Sequence, residues 1–272
     1  MNIDAAVISH EPIIRIAFFA AIFAIVSIAE LFKPRRILTA PKQKRWINNL
    51  LLSLTGTVIS RIIFPIFPVG VALFCVEKKW GLLNYYHFPP WIALICGIVL
   101  LDLTIYLQHM MFHLAPVFWR LHKVHHIDQD IDVTTGLRFH PLEIILSMMI
   151  KISVVAAIGA SPVSVVIFEI LLNGTTMFNH GNLNIPRAAD SLIRLLIVTP
   201  DMHRVHHSVI RKETNSNYGF NFSWWDRIFN TYKKAPDGGH EHMKIGLNGY
   251  HELKYLQLLP MLTVPFETSR EY

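Results

Sequence analysis

Two nearly identical histidine clusters lie about eighty residues apart in this sequence. The first reads HKVHH at residues 122–126, and the second reads HRVHH at residues 203–207. Histidine accounts for only 15 of 272 residues, so two copies of HxxHH are not expected by chance. Side chains at positions i, i+3 and i+4 share one face of a helix, and each cluster therefore presents three imidazoles together. Imidazoles in such numbers indicate metal binding.

Additional histidines extend the set beyond what one metal ion can use. His109 and His113 form an i, i+4 pair at the end of an apolar run, and His180 is a possible ninth ligand. Transition metals take four to six ligands, so the set predicts two ions. The predicted ligands are His109, His113, His122, His125, His126, His180, His203, His206 and His207. His140, in the segment RFHPLE, is a further candidate, either as a ligand or as a hydrogen-bonding neighbour of one.

The choice of metal rests on the donor atoms. Neutral imidazole suits zinc, copper, iron and nickel. A structural zinc site often includes cysteine, but Cys75 and Cys96 both lie in apolar runs away from the histidines. Many nitrogen donors around two ions beside a bilayer favour redox chemistry. We therefore expect two iron ions, although the number of imidazoles does not distinguish iron from zinc, and zinc could replace iron in isolated protein.

Polar residues near the histidines are candidates to orient them. Asp102, Tyr106, His109 and His113 are spaced four, three and four residues apart, which gives one stripe on a helix. Asp102 is expected to accept a hydrogen bond from the outer nitrogen of His109 and fix its tautomer. Asp201, two residues before the second HxxHH cluster, is a similar candidate.

The composition predicts that these residues are held by membrane helices. The chain is 52% hydrophobic and 16% charged, and a membrane helix needs about 20 apolar residues. Apolar runs occupy residues 12–32, 50–76, 89–107 and 142–178. We predict an all-α integral membrane bundle of about four transmembrane helices. Nothing in the sequence indicates a nucleic-acid partner.

Positive charge predicts the orientation of the bundle. Six lysines and arginines lie within residues 33–48, whereas residues 77–88 contain only two. Positive residues favour the cytoplasmic side. The third run should then return the chain to the cytoplasm near His109. We expect a His-rich cytoplasmic cap that holds the two metal ions at the inner boundary of the membrane.

The last apolar run is predicted to form a helical hairpin. Gly159, Ser161 and Pro162 interrupt it, and glycine and proline end helices. Lys151 and Glu169 lie about ten and eight residues from this break, so they should reach similar depths and pair with each other.

The histidine pattern resembles that of the fatty acid hydroxylase / sterol desaturase superfamily. The family order is HxxxH, HxxHH and a distant HxxHH, and all three occur here. Asp102, Tyr106, Pro116, Trp119 and Arg120 agree with the flanking residues, and NSNYGFNFSWWDRIFNTY after the third motif is similar to many bacterial members and to alkylglycerol-type monooxygenases. The resemblance is strongest over residues 95–235. It implies N-terminal transmembrane helices over 1–94, a catalytic domain over 95–235 and a cytoplasmic tail over 236–272.

The resemblance also implies an activity and its partners. Members of the superfamily are membrane di-iron enzymes that use O₂ and two electrons to hydroxylate or desaturate lipid C–H bonds. The eight histidines of the three motifs and His180 would be the iron ligands. Met110 and Asn184 depart from the pattern of many relatives, which argues against a set of ten ligands. The sequence contains no flavin or dinucleotide motif, so a separate protein is expected to donate electrons. The expected location is a bacterial inner membrane, with the active site on the cytoplasmic side.

Other functions remain open at this stage. The substrate could be a sterol, a fatty acyl chain, a sphingoid base, a carotenoid or an ether lipid, the last making the protein an alkylglycerol-type monooxygenase. Functions of other classes are a membrane metal transporter, a lipid hydrolase that uses zinc, and a structural protein whose helices are joined by metal. A transporter should carry its ligands near the middle of the bilayer, whereas most of these histidines lie in polar stretches.

Overall fold

The computed structural model describes residues 7–86 and 88–267, and these residues form helices joined by loops, with no strand among them. The helices are α1 Glu11–Phe32, α2 Lys42–Ile63, α3 Pro68–Glu77, α4 Leu82–Tyr85, α5 Pro90–Leu114, α6 Pro116–His126, α7 Pro141–Ile158, α8 Pro162–Asn179, α9 Arg187–Ile193, α10 Pro200–His206, α11 Arg211–Thr214, α12 Trp224–Ile228, α13 Gly239–His242 and α14 Leu258–Thr263. The predicted all-α architecture is confirmed.

Five segments are long and apolar enough to cross a membrane, one more than the approximate number predicted. They are Glu11–Phe32, Lys42–Tyr85, Pro90–Leu114, Pro141–Ile158 and Pro162–Asn179. The second segment contains α2, α3 and α4, and the break between α2 and α3 arises because prolines at 65 and 68 cannot continue the hydrogen bonding of α2. Large apolar side chains such as Ile13, Ile25 and Trp91 are more than half exposed, as expected for helices that face lipid.

The predicted hairpin is formed by α7 and α8. Gly159 ends α7 with a φ of +68°, a conformation that glycine adopts without strain. Ser161 then caps α8 by accepting a hydrogen bond from the backbone N–H of Ser164. Gly81, which precedes α4, packs directly on this turn, since a Cβ at Gly81 would lie 2.2 Å from the nitrogen of Gly159.

Charged side chains pair within the apolar part of the bundle. Nζ of Lys151 lies 2.9 Å from Oε1 of Glu169, which confirms the predicted pair between the arms of the hairpin. Arg15 of α1, which was not predicted to take part, lies 2.9 Å from the other oxygen of Glu169.

Buried polar contacts fix the opposite end of the bundle. Glu30, near the end of α1, accepts hydrogen bonds of 2.8 Å from the backbone N–H groups of Val133 and Asn182. Arg45 of α2 is fully buried and lies 2.7 Å from Asp128 and 2.5 Å from Asp132. These contacts hold the loop after α6 and the end of α8 against α1 and α2, at the end that carries the histidines.

Residues 182–267 form a cap of short helices and loops over that end. Val124 and Ile127, at and just after the end of α6, pack in a buried cluster with Leu247, Tyr250 and Tyr255 of the cap. Burial of these apolar surfaces stabilises the position of the histidine-bearing helix. The assignment of this end to the cytoplasm stays a prediction.

Candidate metal centre

Nine histidines meet between the bundle and the cap, and each is at most 9% exposed. Their ring nitrogens form two groups, in each of which the candidate ligand atoms lie within 4.8 Å of one another. The five-histidine group contains His109, His113, His122, His126 and His206. The four-histidine group contains His125, His180, His203 and His207. The structure therefore brings together the nine histidines predicted from the sequence, and their role as ligands stays a prediction.

Each HxxHH cluster contributes to both groups. In α6, His122 and His126 belong to the five-histidine group, whereas His125 belongs to the four-histidine group. The later cluster divides in the opposite sense, with one histidine in the first group and two in the second. Positions i, i+3 and i+4 spread over about 100° of a helix, so one helix can face two adjacent sites.

Hydrogen bonds on the outer nitrogens of the five-histidine group determine which nitrogen faces its centre. Nδ1 of His109 lies 2.7 Å from the carbonyl oxygen of Tyr218, and Nδ1 of His206 lies 2.7 Å from that of Ser216. A carbonyl oxygen only accepts, so Nδ1 carries the hydrogen and Nε2 of the neutral ring presents a lone pair. The two Nε2 atoms nevertheless lie 3.0 Å apart. Two lone pairs at this distance repel each other unless a cation binds both.

The four-histidine group shows the same arrangement. Nδ1 of His180 lies 2.7 Å from the carbonyl oxygen of Thr176, and Nδ1 of His125 lies 3.3 Å from that of Arg138. The Nε2 atoms of the two rings face each other at 3.0 Å. In both groups, a metal ion bound between the facing Nε2 atoms would remove the repulsion between their lone pairs.

Burial keeps these rings in the neutral form that binds metal. Burial lowers the pKa of His122 to about 3 and that of His180 to about 4, and it holds the pKa of His206 well below its ordinary value. Within the described part of the chain, neither ring nitrogen of His126 or His207 has a hydrogen-bond partner. Because a buried polar atom without a partner is costly, the residues fit bound metal ions.

A buried carboxylate supports one of the rings and was not predicted. Oε1 of Glu143, in the first turn of α7, lies 2.7 Å from Nδ1 of His122, an arrangement common for metal-bound histidine. The segment RFHPLE contains both this glutamate and His140, and no spacing within the segment distinguishes the glutamate as a partner of His122. His140 instead caps α7, since its Nδ1 accepts from the N–H of Leu142 and its Nε2 lies 3.3 Å from the carbonyl of Leu262. It belongs to neither group, so the structure does not support its candidate role as a ligand.

The predicted hydrogen bond between Asp102 and His109 is wrong. Asp102 accepts a hydrogen bond of 2.8 Å from Nε1 of Trp225, while the outer nitrogen of His109 faces a carbonyl. Seven residues along α5 correspond to about 10 Å, which is too far for direct contact. The hydroxyl of Tyr106 lies 2.8 Å from that of Thr231, so both candidates join α5 to the cap.

Asp201 also lies away from the ring nitrogens that it was expected to support. It forms ion pairs with Arg204 and, at 3.3 Å, with Arg35. Burial alone would raise the pKa of Asp201, but Arg204 and its other cationic neighbours lower it. This aspartate therefore ties α10 to the segment after α1.

A cavity of about 260 Å³ opens beside the five-histidine group. His109 and His122 form part of its wall, and Ile105, Phe112 and Phe139 make much of the adjoining surface apolar. Such a lining suits an alkyl chain placed next to the candidate metal ions.

Comparisons with known proteins agree with this geometry. The family model described as fatty acid hydroxylase matches residues 94–231, which include all nine histidines. Ornithine lipid hydroxylase OlsE of Rhizobium tropici is 27% identical over 215 residues, which cover 72% of this chain and 62% of that protein. Alkylglycerol monooxygenase of Homo sapiens is 25% identical over 197 residues, which cover 69% of this chain and 41% of that protein.

A third relative is matched over most of its length. Cholesterol 25-hydroxylase of Homo sapiens is 23% identical over 253 residues, which cover 84% of this chain and 88% of that protein. The chain spans less than two thirds of the first two relatives. No solved structure matches it significantly.

Proposed function

Because this chain belongs to the fatty acid hydroxylase family, we propose that it is a membrane di-iron enzyme that uses O₂ to hydroxylate or desaturate an alkyl carbon of a lipid. The hydroxylases and monooxygenases among its relatives support lipid hydroxylation as the general activity. The proposal assigns the nine histidines as iron ligands and the adjoining cavity as the place where the alkyl carbon lies.

The donor set supports iron over zinc. Structural zinc is almost always four-coordinate, whereas one group here offers five nitrogens. Two nitrogens bound at about 2.1 Å to one ion lie about 3.0 Å apart at a right angle and about 3.4 Å apart at a tetrahedral angle. The facing Nε2 atoms are separated by 3.0 to 3.1 Å. Nitrogens at such separations could bind one ion together, and the five-histidine group offers more nitrogens than the four that a structural zinc ion takes.

The residues of the chain would hold the metal and orient the substrate. Bound iron would supply redox chemistry in which a C–H bond, O₂, two electrons and two protons yield C–OH and water. The carbonyl groups of Tyr218, Ser216 and Thr176 orient the imidazoles, and Glu143 orients His122. The apolar wall of the cavity excludes water from the reacting carbon.

One observation carries the proposal. The unprotonated nitrogens of His109 and His206 face each other at 3.0 Å, in a buried group that borders an apolar cavity. Such an arrangement needs a shared cation, and the cavity gives an alkyl chain access to it. A metal transporter fits less well, because both groups are closed by buried side chains at one end of the bundle.

The proposed partners follow from the location of the site. The substrate is a lipid, the oxidant is O₂, and a separate protein supplies electrons. The basic segment 33–48 supports a site on the cytoplasmic side of a bacterial inner membrane. An ether lipid is a specific candidate substrate, supported by the similarity to alkylglycerol monooxygenase over 69% of this chain.

Metal analysis together with oxygen consumption tests the proposal. Purified protein should contain two iron ions per chain and should consume O₂ only with a reductant and a lipid substrate. His206→Ala should lower the iron content by about one ion per chain and abolish turnover, because it deletes one of the apposed nitrogens of the five-histidine group. His242→Ala, at an exposed position in α13, should leave both unchanged. An active protein that contains no iron would refute the proposal.

A further inference from the structure

The cavity beside the five-histidine group continues deeper into the bundle. A second cavity of about 230 Å³ shares Thr57, Ile144, Lys151 and Leu172 with the first. Because the two share part of their walls, they lie side by side in the bundle. Together they fall within the roughly 300–1,000 Å³ that is typical of small-molecule sites.

The second cavity is lined by more charged side chains than the cavity near the histidines. Arg15, Arg61, Lys151 and Glu169 all contribute to its wall. Glu169 pairs with both Lys151 and Arg15, and Arg15 also pairs with Glu11 at 2.5 Å. This charged cluster thus contains two carboxylates, from Glu11 and Glu169, and three cations, so its net charge is +1.

The excess charge belongs to Arg61. Within the described residues, no carboxylate lies at ion-pair distance from the exposed side chain of Arg61, so Glu169 attracts it only at longer range, and its guanidinium packs over the ring of Phe67 at 4.5 Å. The neighbouring Ser60, which is 3% exposed and lines the same cavity, has a hydroxyl without a partner among these residues. An unpaired cation within the apolar part of a membrane is costly, and its usual role is functional.

The helices set the distance between the charged part and the candidate metal ions. Eight residues of α7 separate Lys151 from Glu143, which contacts His122, and eleven residues separate Glu169 from His180. At 1.5 Å per residue these separations are about 12 Å and about 16 Å. If the polar group of a lipid binds at Lys151, an alkyl carbon about 12 to 16 Å further along the same lipid lies beside the candidate ions.

We propose that the charged part of the cavity, at Arg61, Lys151 and Ser60, binds the anionic group of a lipid substrate whose alkyl chain extends to the five-histidine group. The inference rests on the proposed function, because it specifies the substrate class of the same site. The ligand is a carboxylate or a phosphate on an alkyl chain. Arg61 binds it by a charge-assisted hydrogen bond, and Ser60 donates its free hydroxyl.

Lipid binding without turnover tests the inference separately from the activity. Full-length protein in neutral detergent, under argon and without reductant, is titrated with radiolabelled oleate, oleoyl lysophosphatidate or oleyl alcohol. At least one of the two anionic lipids should bind more tightly than the alcohol, and the tighter of them identifies the anionic group. Equal binding of all three lipids would overturn the inference. Iron content and oxygen consumption, measured on the same preparation, report on the proposed function alone.

Variants at Arg61 locate the binding group. Arg61→Gln should weaken binding of the anionic lipid roughly 10- to 100-fold, the usual effect of losing a hydrogen bond to a charged group, and should leave binding of oleyl alcohol unchanged. Arg61→Lys should restore much of the loss. Lys78→Gln is the matched control, because Lys78 is exposed and lies outside this cavity. An equal loss for anionic and neutral lipids in Arg61→Gln would contradict the assignment.

Discussion

Substitution of Glu143 should weaken binding of one metal ion more than binding of the other, because Glu143 contacts only the five-histidine group. Its Oε1 lies 2.7 Å from Nδ1 of His122, whereas His125 and His180 of the other group are oriented by backbone carbonyls. Loss of such a supporting partner typically reduces metal affinity 10- to 100-fold, or about 1.4 to 2.7 kcal/mol. Glu143→Leu should show the full loss. Glu143→Gln should show less, since its amide oxygen can still accept from His122.

Competition with a chelator measures this effect. The unchanged protein should release its iron over one range of chelator concentration, and Glu143→Leu should release one ion at roughly 10- to 100-fold lower concentration. Glu143→Leu should still fold, because it removes a carboxylate whose Oε2 has no partner among the described residues. Ser147→Ala, one turn further along α7 on the same cavity, is the control. Retention of both ions, or equal weakening of both, would refute the reasoning.

Other substitutions test the contacts that hold the site in place. Arg45→Met should lower the free energy of unfolding by about 3–5 kcal/mol, because it removes the cation that pairs with two buried carboxylates. Thermal unfolding in detergent should show a lower midpoint than for the exposed control Gln43→Met, and equal midpoints would contradict this. Glu169→Leu should reduce the yield of folded protein more than Lys151→Met does, because the first removes the carboxylate that pairs with both Arg15 and Lys151, whereas the second leaves Arg15 paired with Glu169. Size-exclusion profiles measure the yields, and the opposite order would count against the ion cluster. His207→Ala should lower the iron content, measured by metal analysis, by about one ion per chain, because His207 belongs to the four-histidine group. The five-histidine group should keep its ion. Unchanged iron content would exclude His207 as a ligand.

The spacing of residues along the chain predicted the helices and their ends, because these depend on contacts between residues that are close in sequence. An HxxHH cluster places its rings on one helix face whatever the remaining fold, and glycine and proline end a helix through their own backbone geometry. The pair between Lys151 and Glu169 was predictable for the same reason, since two arms of one hairpin run at matching depth. The boundaries of the apolar runs likewise lie within the five segments observed or at most one residue outside them.

Most partners of the histidine rings could not be predicted, because they are backbone carbonyls or come from other segments. Ser216 and Tyr218 contribute backbone carbonyls, which every residue possesses, so no sequence pattern marks them. The expected role of Asp102 failed because a shared helix face does not imply contact when seven residues intervene. The contribution of Arg15 to the ion cluster depends on how α1 packs against α8, which spacing within either helix does not determine.

The division of each HxxHH cluster between two groups has a thermodynamic consequence. An ion bound by His122 and His126 fixes the rotation of α6, and the same rotation sets the position of His125 in the other group. The segment that carries His206 and His207 acts in the same way, since its adjacent rings also serve different groups. The first ion to bind therefore orders ligands of the second, and part of the conformational entropy cost of the second site is already met. The two ions should accordingly bind with positive cooperativity, and the intact buried contacts of Arg45 and Glu143 should strengthen that coupling by keeping the surrounding segments in place.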